Sequence, residues 1–333
     1  MKKLLIVNSN LQIGGVQEAL VSLLLQIHKD YDITLALFSP CGPLLQRLPG
    51  DIKVIGVDSP YRYLGTSRRE LQGKPVQKLL RAGYAGVCRI FGRTAAMALM
   101  APFQKKMEGY DVAISFVHDG YDNAFYGGCN SFVLRHVQAT KKVTFLHGDY
   151  VKCGGNTPKN AARYEKFDHI CACSQGCADS FLSVLPQLKD KVHIVPNCHD
   201  FDRIRTLADT QVTMDAAGIK ILSVARFGAE KAIPRAVEAL AAAGHTPIIN
   251  TGRPYSHIDP RVRAMAFAGW VCSGGMEVYV DGKWLQKYRM SEEVRKVVID
   301  AVRECRMQVF YEAVGGFWLV PMLFSLLNTV GVL

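Results

Sequence analysis

The chain has 333 residues, 49% hydrophobic and 21% charged, with 40 lysines and arginines against 29 acidic residues and a formal charge of +11. That length holds two domains with cores of their own, and the composition excludes a disordered chain. The charge excess points to an anionic partner, whether nucleotide, phospholipid surface or nucleic acid. Cys171, Cys173 and Cys177 come nearest to a cluster among ten cysteines, but they lack the paired Cys-x2-Cys spacing of a metal site. They read as reduced thiols of a cytoplasmic protein. No signal peptide is expected, because the apolar run 4–7 is short and leads straight into a strand pattern.

In chain order, residues 3–7 read as a strand, 8–15 as a loop ending in Gly14-Gly15, and 16–27 as a helix whose apolar face carries Val16, Leu20, Leu23, Leu24 and Ile27. A glycine pair there serves either tight packing or the approach of an anion or sugar hydroxyl to free helix N–H groups. Residues 33–38 and 53–57 are further strands, with Pro40, Gly42, Pro43, Pro49 and Gly50 at the turns. Between residues 62 and 106 stand ten basic side chains and one acidic one, Glu70, interleaved with Leu79, Leu80, Val87, Ile90 and Phe91. This basic amphipathic helical region suits an anionic membrane surface, or else is a solvated helix face rich in cations. Its few aromatic residues do not favour nucleic acid.

Residues 111–116 are a strand followed by His118-Asp119-Gly120, and 142–146 a strand followed by His147-Gly148-Asp149-Tyr150. Polar residues just after strands lie at the carboxyl edge of a sheet, facing its cleft, so two such exits bring His and Asp to one edge. Residues 169–173 form a strand, Ser174 is an N-cap for a helix over 175–184, and 192–195 is a strand leading to Pro196, Asn197 and Asp200. Residues 221–225 read as a buried parallel strand. Arg226, Gly228, Glu230 and Lys231 follow in a charged loop that enters a helix near Pro234, where the two cations suit a diphosphate or else are ordinary solvated loop charges.

The strings Gly14-Gly15-Val16-Gln17-Glu18-Ala19-Leu20 and 220–233, with the ordered motifs between them, resemble the retaining GT-B glycosyltransferases of the family 4 type over residues 1 to about 233. The resemblance implies an α/β fold: a Rossmann-like GT-B N-terminal domain over 1–200, an interdomain segment with the first strand and loop of the donor domain over 201–233, then an incomplete second α/β domain. It implies that Arg226 and Lys231 hold the donor diphosphate, that Gly14, Gly15 and Gln17 line the acceptor and sugar side, and that His147, His118 and Asp149 act at the transferred sugar. The implied partners are a nucleotide-diphosphate sugar and a glycan or lipid-linked acceptor, met at the inner face of the cell membrane, with no metal, cofactor or nucleic acid. The donor-binding Glu-x7-Glu segment of that family is missing from the sequence, which implies impaired turnover.

Residues 234–320 instead resemble an internal piece of the Cof-type haloacid-dehalogenase-like (HAD) phosphatases. The stretch from Ala236 to His257 resembles the second signature of that family, in which Thr251, Gly252 and Arg253 would bind phosphate, and 268–283 resembles the entry to its small β-rich cap. Asp281-Gly282 between apolar runs marks a hairpin. The Asp-x-Asp-Gly-Thr loop that supplies the nucleophile and holds magnesium in that family does not occur in this sequence. Two further readings stay open: a phosphatase-related hydrolase lacking its nucleophile, and a non-catalytic nucleotide-binding module. From Ala313 onward the sequence carries no charge, long enough for a membrane span or for a buried strand and helix.

Overall fold

The alternation of short apolar runs with amphipathic segments in the first two hundred residues builds an all-parallel sheet. The computed structural model describes residues 1–209, 221–225, 231–289, 291–304, 309–313 and 316–320. Strands β1 (Lys2–Asn8), β2 (Tyr31–Leu37), β3 (Lys53–Gly56), β4 (Met107–Ser115), β5 (Val137–Leu146), β6 (His169–Ala172) and β7 (Val192–Ile194) pair in the order β3-β2-β1-β4-β5-β6-β7. That is the doubly wound order in which the sequence of strands reverses between β1 and β4. The helices are α1 (Gly15–Ile27), α2 (Pro75–Phe91), α3 (Arg93–Met100), α4 (Cys129–His136), α5 (Pro158–Tyr164), α6 (Gln175–Leu182) and α7 (Phe201–Ala208).

Strand β1 shows why the layers form. Its residues 4 to 8 are all buried, with Leu4 and Ile6 packing on one face against Leu20 and Leu24 of α1. Leu5 and Val7 pack on the other face with Phe132 of α4 and Phe181 of α6. A strand covered on both sides reads as an uninterrupted apolar run, as 4–7 does. Helix α6 begins where its cap allows, the Ser174 hydroxyl accepting the Cys177 N–H at 3.3 Å. The buried thiols are free, and burial pushes Cys129 up to about 12 and Cys171 to about 11.

The chain divides into two compact units, Met1–Thr213 and Met214–Leu333. The second holds α8 (Ile233–Ala242), β8 (Ile248–Asn250), α9 (Pro260–Arg263), β9 (Gly269–Cys272), β10 (Glu277–Val280), β11 (Lys283–Lys287) and α10 (Glu292–Glu304), with a four-stranded sheet ordered β11-β10-β9-β8. Its core is aromatic: Tyr255 meets Trp270 edge-on at 5.5 Å, and Phe267 packs on the same indole. The hairpin β10–β11 turns at Asp281 and Gly282, both with positive φ (47° and 79°), as a two-residue turn of that twist requires.

One sequence expectation is corrected here. Residues 221–225 form no strand: Ile221, Leu222 and Val224 are 60%, 80% and 91% exposed, and no described strand pairs with them. An apolar run becomes a buried strand only when neighbours take its N–H and C=O groups. Within the basic region 62–106 the helical part is two helices, α2 and α3, separated at Gly92 (φ 86°). At the start of the uncharged tail β12 (Val309–Ala313) and β13 (Gly316–Val320) pair antiparallel, and residues 321–333, on which the expected span or helix falls, lie outside the described residues. Among the described residues no helix is long and apolar enough to cross a membrane.

Candidate functional site

The reversal point between β1 and β4 opens a crevice at the carboxyl ends of those strands, and the loops after β1, β4, β5 and β7 bring their polar residues to it. The loop after β1 is fixed by its own side chains. The Asn10 amide donates to the Gly65 carbonyl at 2.9 Å, and the Asn10 carboxamide oxygen accepts the Gln12 N–H. Helix α1 then starts at Gly14, whose carbonyl accepts the Glu18 N–H. No side chain caps this end, so the first-turn N–H groups stay available to an anion. Gln17 folds back over Gly14, its Oε1 lying 2.5 Å from where a Cβ would stand.

The structure brings His118 and His147 together. The His147 backbone N–H donates to His118 Nδ1 at 3.3 Å, which fixes the His118 tautomer with its proton on Nε2. The His147 ring is stacked on Phe145 with 5.8 Å between centroids and lies 4.7 Å from the ring of Phe116. Its two nitrogens are enclosed and reach no partner at hydrogen-bonding geometry, the groups beside them being the Asn197 side chain and the Phe116 backbone. Burial holds His147 down at about 4, with His118 adding to the effect, and burial likewise lowers His118. Both are therefore neutral imidazoles at pH 7 and do not serve as fixed cations; the enclosed nitrogens of His147 stand back from solvent, while the Nε2–H of His118 is the one left to meet a hydroxyl.

The two aspartates of these loops do something else. Asp119 is 1% exposed and turned inward, taking Arg93 Nη2 at 3.0 Å and the Gly128 N–H at 3.1 Å on Oδ1. It anchors the loop after β4 to α3 instead of facing the crevice, so only the histidine of that exit reaches the edge. Asp149 accepts the Ser180 hydroxyl at 2.6 Å and the N–H groups of Val151 and Lys152, and the Ser180 bond is the main reason its carboxyl is held down at about 2. Gly120 lets the two loops touch: a Cβ there would stand 2.6 Å from the Cys153 carbonyl oxygen.

A cleft of about 180 Å³ runs beside α1, lined by Gly15, Glu18, Ala19, Ser22, Arg47, Asn197, His199, Asp200, Arg203 and Ile204. Asn197 thus lines the cleft together with Gly15 at the start of α1. Arg47 donates to Glu18 at 2.6 Å and lies 3.6 Å from Asp200, whose other oxygen caps α7 by accepting the Arg203 N–H. Asp200 and Asp202 therefore form no carboxylate pair. Sequence reasoning missed Arg47, His199 and Arg203, which no motif marks and which lie 29 to 156 residues from Glu18 or Arg47 along the chain. The cleft holds a group the size of a phosphate or one sugar ring, being smaller than a whole-ligand pocket.

In the second unit Lys231 is exposed and, with Arg235, flanks an open hollow of about 750 Å³ along α8. Arg226 lies outside the described residues. Thr251 follows β8, its hydroxyl accepting the Arg253 N–H at 3.2 Å and its own N–H donating to the Val271 carbonyl, so that Thr251, Gly252 and Arg253 close a turn. Gly252 and the Arg253 side chain are exposed.

No protein-family model and no curated protein matches the chain. Among solved structures, BT1666 from Bacteroides thetaiotaomicron, a phosphatase of the haloalkanoate (HAD) superfamily, is similar over 30% of this chain and 38% of its own, at 19% identity and a TM-score of 0.25. Anabaena Alr3699/HepE in complex with UDP and glucose is similar over 62% of this chain and 50% of its own, at 14% identity and a TM-score of 0.34. The same protein in complex with UDP-glucose is similar over 92% and 67%, at 12% identity and a TM-score of 0.38. The chain therefore spans well under half of the phosphatase and half to two thirds of HepE.

Proposed function

We propose that the chain is a glycosyltransferase of GT-B type that moves a sugar from a nucleotide diphosphate to a glycan or lipid-linked acceptor in polysaccharide biosynthesis, working in the cytoplasm at the inner face of an anionic membrane. The observation that carries this reading is the cluster of two neutral histidines, His118 and His147, at the reversal point of a doubly wound sheet whose first helix, α1, has an uncapped N-terminus beside a cleft lined by Asn197. Neutral imidazoles suit sugar hydroxyls, and free helix N–H groups suit an anion or hydroxyl. In this reading His147 and His118 face the transferred sugar, Gly14, Gly15 and Gln17 line the acceptor side, and Asp149 positions His147 by holding its turn. Arg226 and Lys231 neutralise the leaving diphosphate with fixed charge in place of a metal ion. Residues 1–200 form the acceptor domain, 201–233 the connection, and 234–333 the HAD-like part, whose Thr251, Gly252 and Arg253 would meet a phosphate.

Calorimetric titration of the chain with nucleoside diphosphates, followed by transfer assays with nucleotide sugars, tests the reading. Arg226→Ala should weaken nucleotide binding by about tenfold or more, the worth of one charge-assisted contact. His147→Ala should abolish transfer while leaving nucleotide affinity within about threefold. Absence of nucleotide binding, or binding indifferent to Arg226→Ala, would overturn the assignment; binding without turnover would select the non-catalytic module, and magnesium-dependent phosphate release the hydrolase.

A further inference from the structure

Helix α2 packs inside out. Its inward side carries Arg81, 6% exposed, and Cys88, fully buried, and both are held by polar contacts. Arg81 Nε donates to the Thr66 carbonyl at 3.0 Å and its Nη2 to the Tyr126 hydroxyl at 2.7 Å, with the guanidinium over the Phe125 ring. The opposite side is apolar and open: Val76, Leu79 and Ile90 are 70%, 75% and 73% exposed, and Leu80 is half exposed. At 3.6 residues per turn these four, with Gly83 and Val87 between them, fall in one stripe pointing away from the sheet. A soluble helix ordinarily turns such a stripe to the core, and a contiguous exposed one marks an interaction surface.

Charge identifies what meets it. Roughly a third of a turn round α2 from the stripe lies a groove of about 580 Å³, floored by Ala82, Ala85 and Gly86 and walled by Arg68, Lys78 and Arg89, with no acidic residue in its lining. An apolar stripe beside a row of uncompensated cations matches an anionic bilayer, in which acyl chains and phosphates are separated by about the radius of a helix. A protein partner with the same complementarity would need an apolar ridge flanked by acids, and a second copy of this chain would set Arg68, Lys78 and Arg89 near their own images.

We propose that α2 seats the chain on an anionic lipid bilayer, with Val76, Leu79, Leu80 and Ile90 in the acyl layer and headgroup phosphates in the groove of Arg68, Lys78 and Arg89. This assigns residues to the membrane contact of the proposed function and rests on that part of it alone. The lipid assay contains no nucleotide, so its failure would leave the transferase reading standing.

The test is sedimentation of the full chain with vesicles of phosphatidylcholine, alone or containing about one part in three of phosphatidylglycerol. The anionic vesicles should bind about a hundredfold more tightly, the combined effect of three surface cations, and the preference should fade in high salt. Leu79→Ser with Ile90→Ser should lower partitioning about tenfold or more on both vesicles, and Lys78→Gln with Arg89→Gln should cut the anionic preference to about fivefold, the share of the remaining Arg68, without changing binding to neutral vesicles. All four side chains are exposed, so unchanged thermal melting will show that the variants fold. Equal binding to both vesicles, no binding to either, or an oligomer that the Leu79→Ser, Ile90→Ser variant dissociates would each overturn the proposal.

Discussion

The buried ion pair between Arg93 and Asp119 holds the loop that carries His118. Arg93 Nη1 donates to the carbonyls of Ala124 at 3.1 Å and Tyr126 at 3.0 Å while Nη2 takes Asp119, so one side chain ties α3 to the whole loop from β4 to α4. The two side chains are 3% and 1% exposed. Replacing Arg93 by Met would leave Asp119 with the Gly128 N–H alone and strand two carbonyls, and breaking such a pair from one side costs about 3–5 kcal/mol. With an m-value of about 2–3 kcal/mol/M, the urea midpoint of the first unit should fall by roughly 1–2.5 M. Far-UV circular dichroism is the readout, because the three tryptophans, Trp270, Trp284 and Trp318, all belong to the other unit. Arg93→Met with Asp119→Leu should recover most of the loss, since it removes the stranded charge along with its partner. A loss under about 1 kcal/mol in the single variant would mean that water reaches Asp119 and that the loop carrying His118 is held by something else.

Two further outcomes follow from the same geometry. His136, whose Nε2 lies 3.0 Å from the Tyr61 hydroxyl, and His147 are both held at about 4, against 6.5 for a free side chain, chiefly by burial. The unfolded chain takes up these protons first, so the stability they give is complete above about pH 6.5 and is lost as pH falls toward 4, with His147 contributing on the order of 3 kcal/mol. Urea midpoints measured at successive pH values should drop through that window, and His147→Gln should flatten the slope; an unchanged slope would place the ring in water. Gly120→Ala should cost about 1–3 kcal/mol and spread the two histidine loops, because the added methyl meets a backbone oxygen that cannot rotate away. Thermal melting reads the cost, and an unaltered melting temperature would show that the loops are not in contact.

Much of the fold is legible from local pattern. The run Leu4 to Val7, the helix with Leu20 and Leu24, the Ser174 cap and the Asp281-Gly282 turn depend on neighbours within a few residues, so periodicity and turn chemistry suffice to locate them. Where that method failed, at 221–225, a strand-like composition had no partner strand to pair with. The expected strand at 142–146 begins earlier, at Val137, because β4 extends beside it to Met107 and supplies the ladder.

The sequence by itself determined the parallel architecture, the places where strands end, and the fact that α2 has an apolar face. Only the tertiary structure decided that this face looks outward, that Asp119 spends its charge on Arg93, and that Asn197 lines a cleft together with the start of α1. The physical reason is range. Backbone propensity acts between near neighbours in the chain, whereas burial, ion pairing and the lowered basicity of a histidine arise between groups that meet only once the layers have closed, here 26, 29 and 50 residues apart.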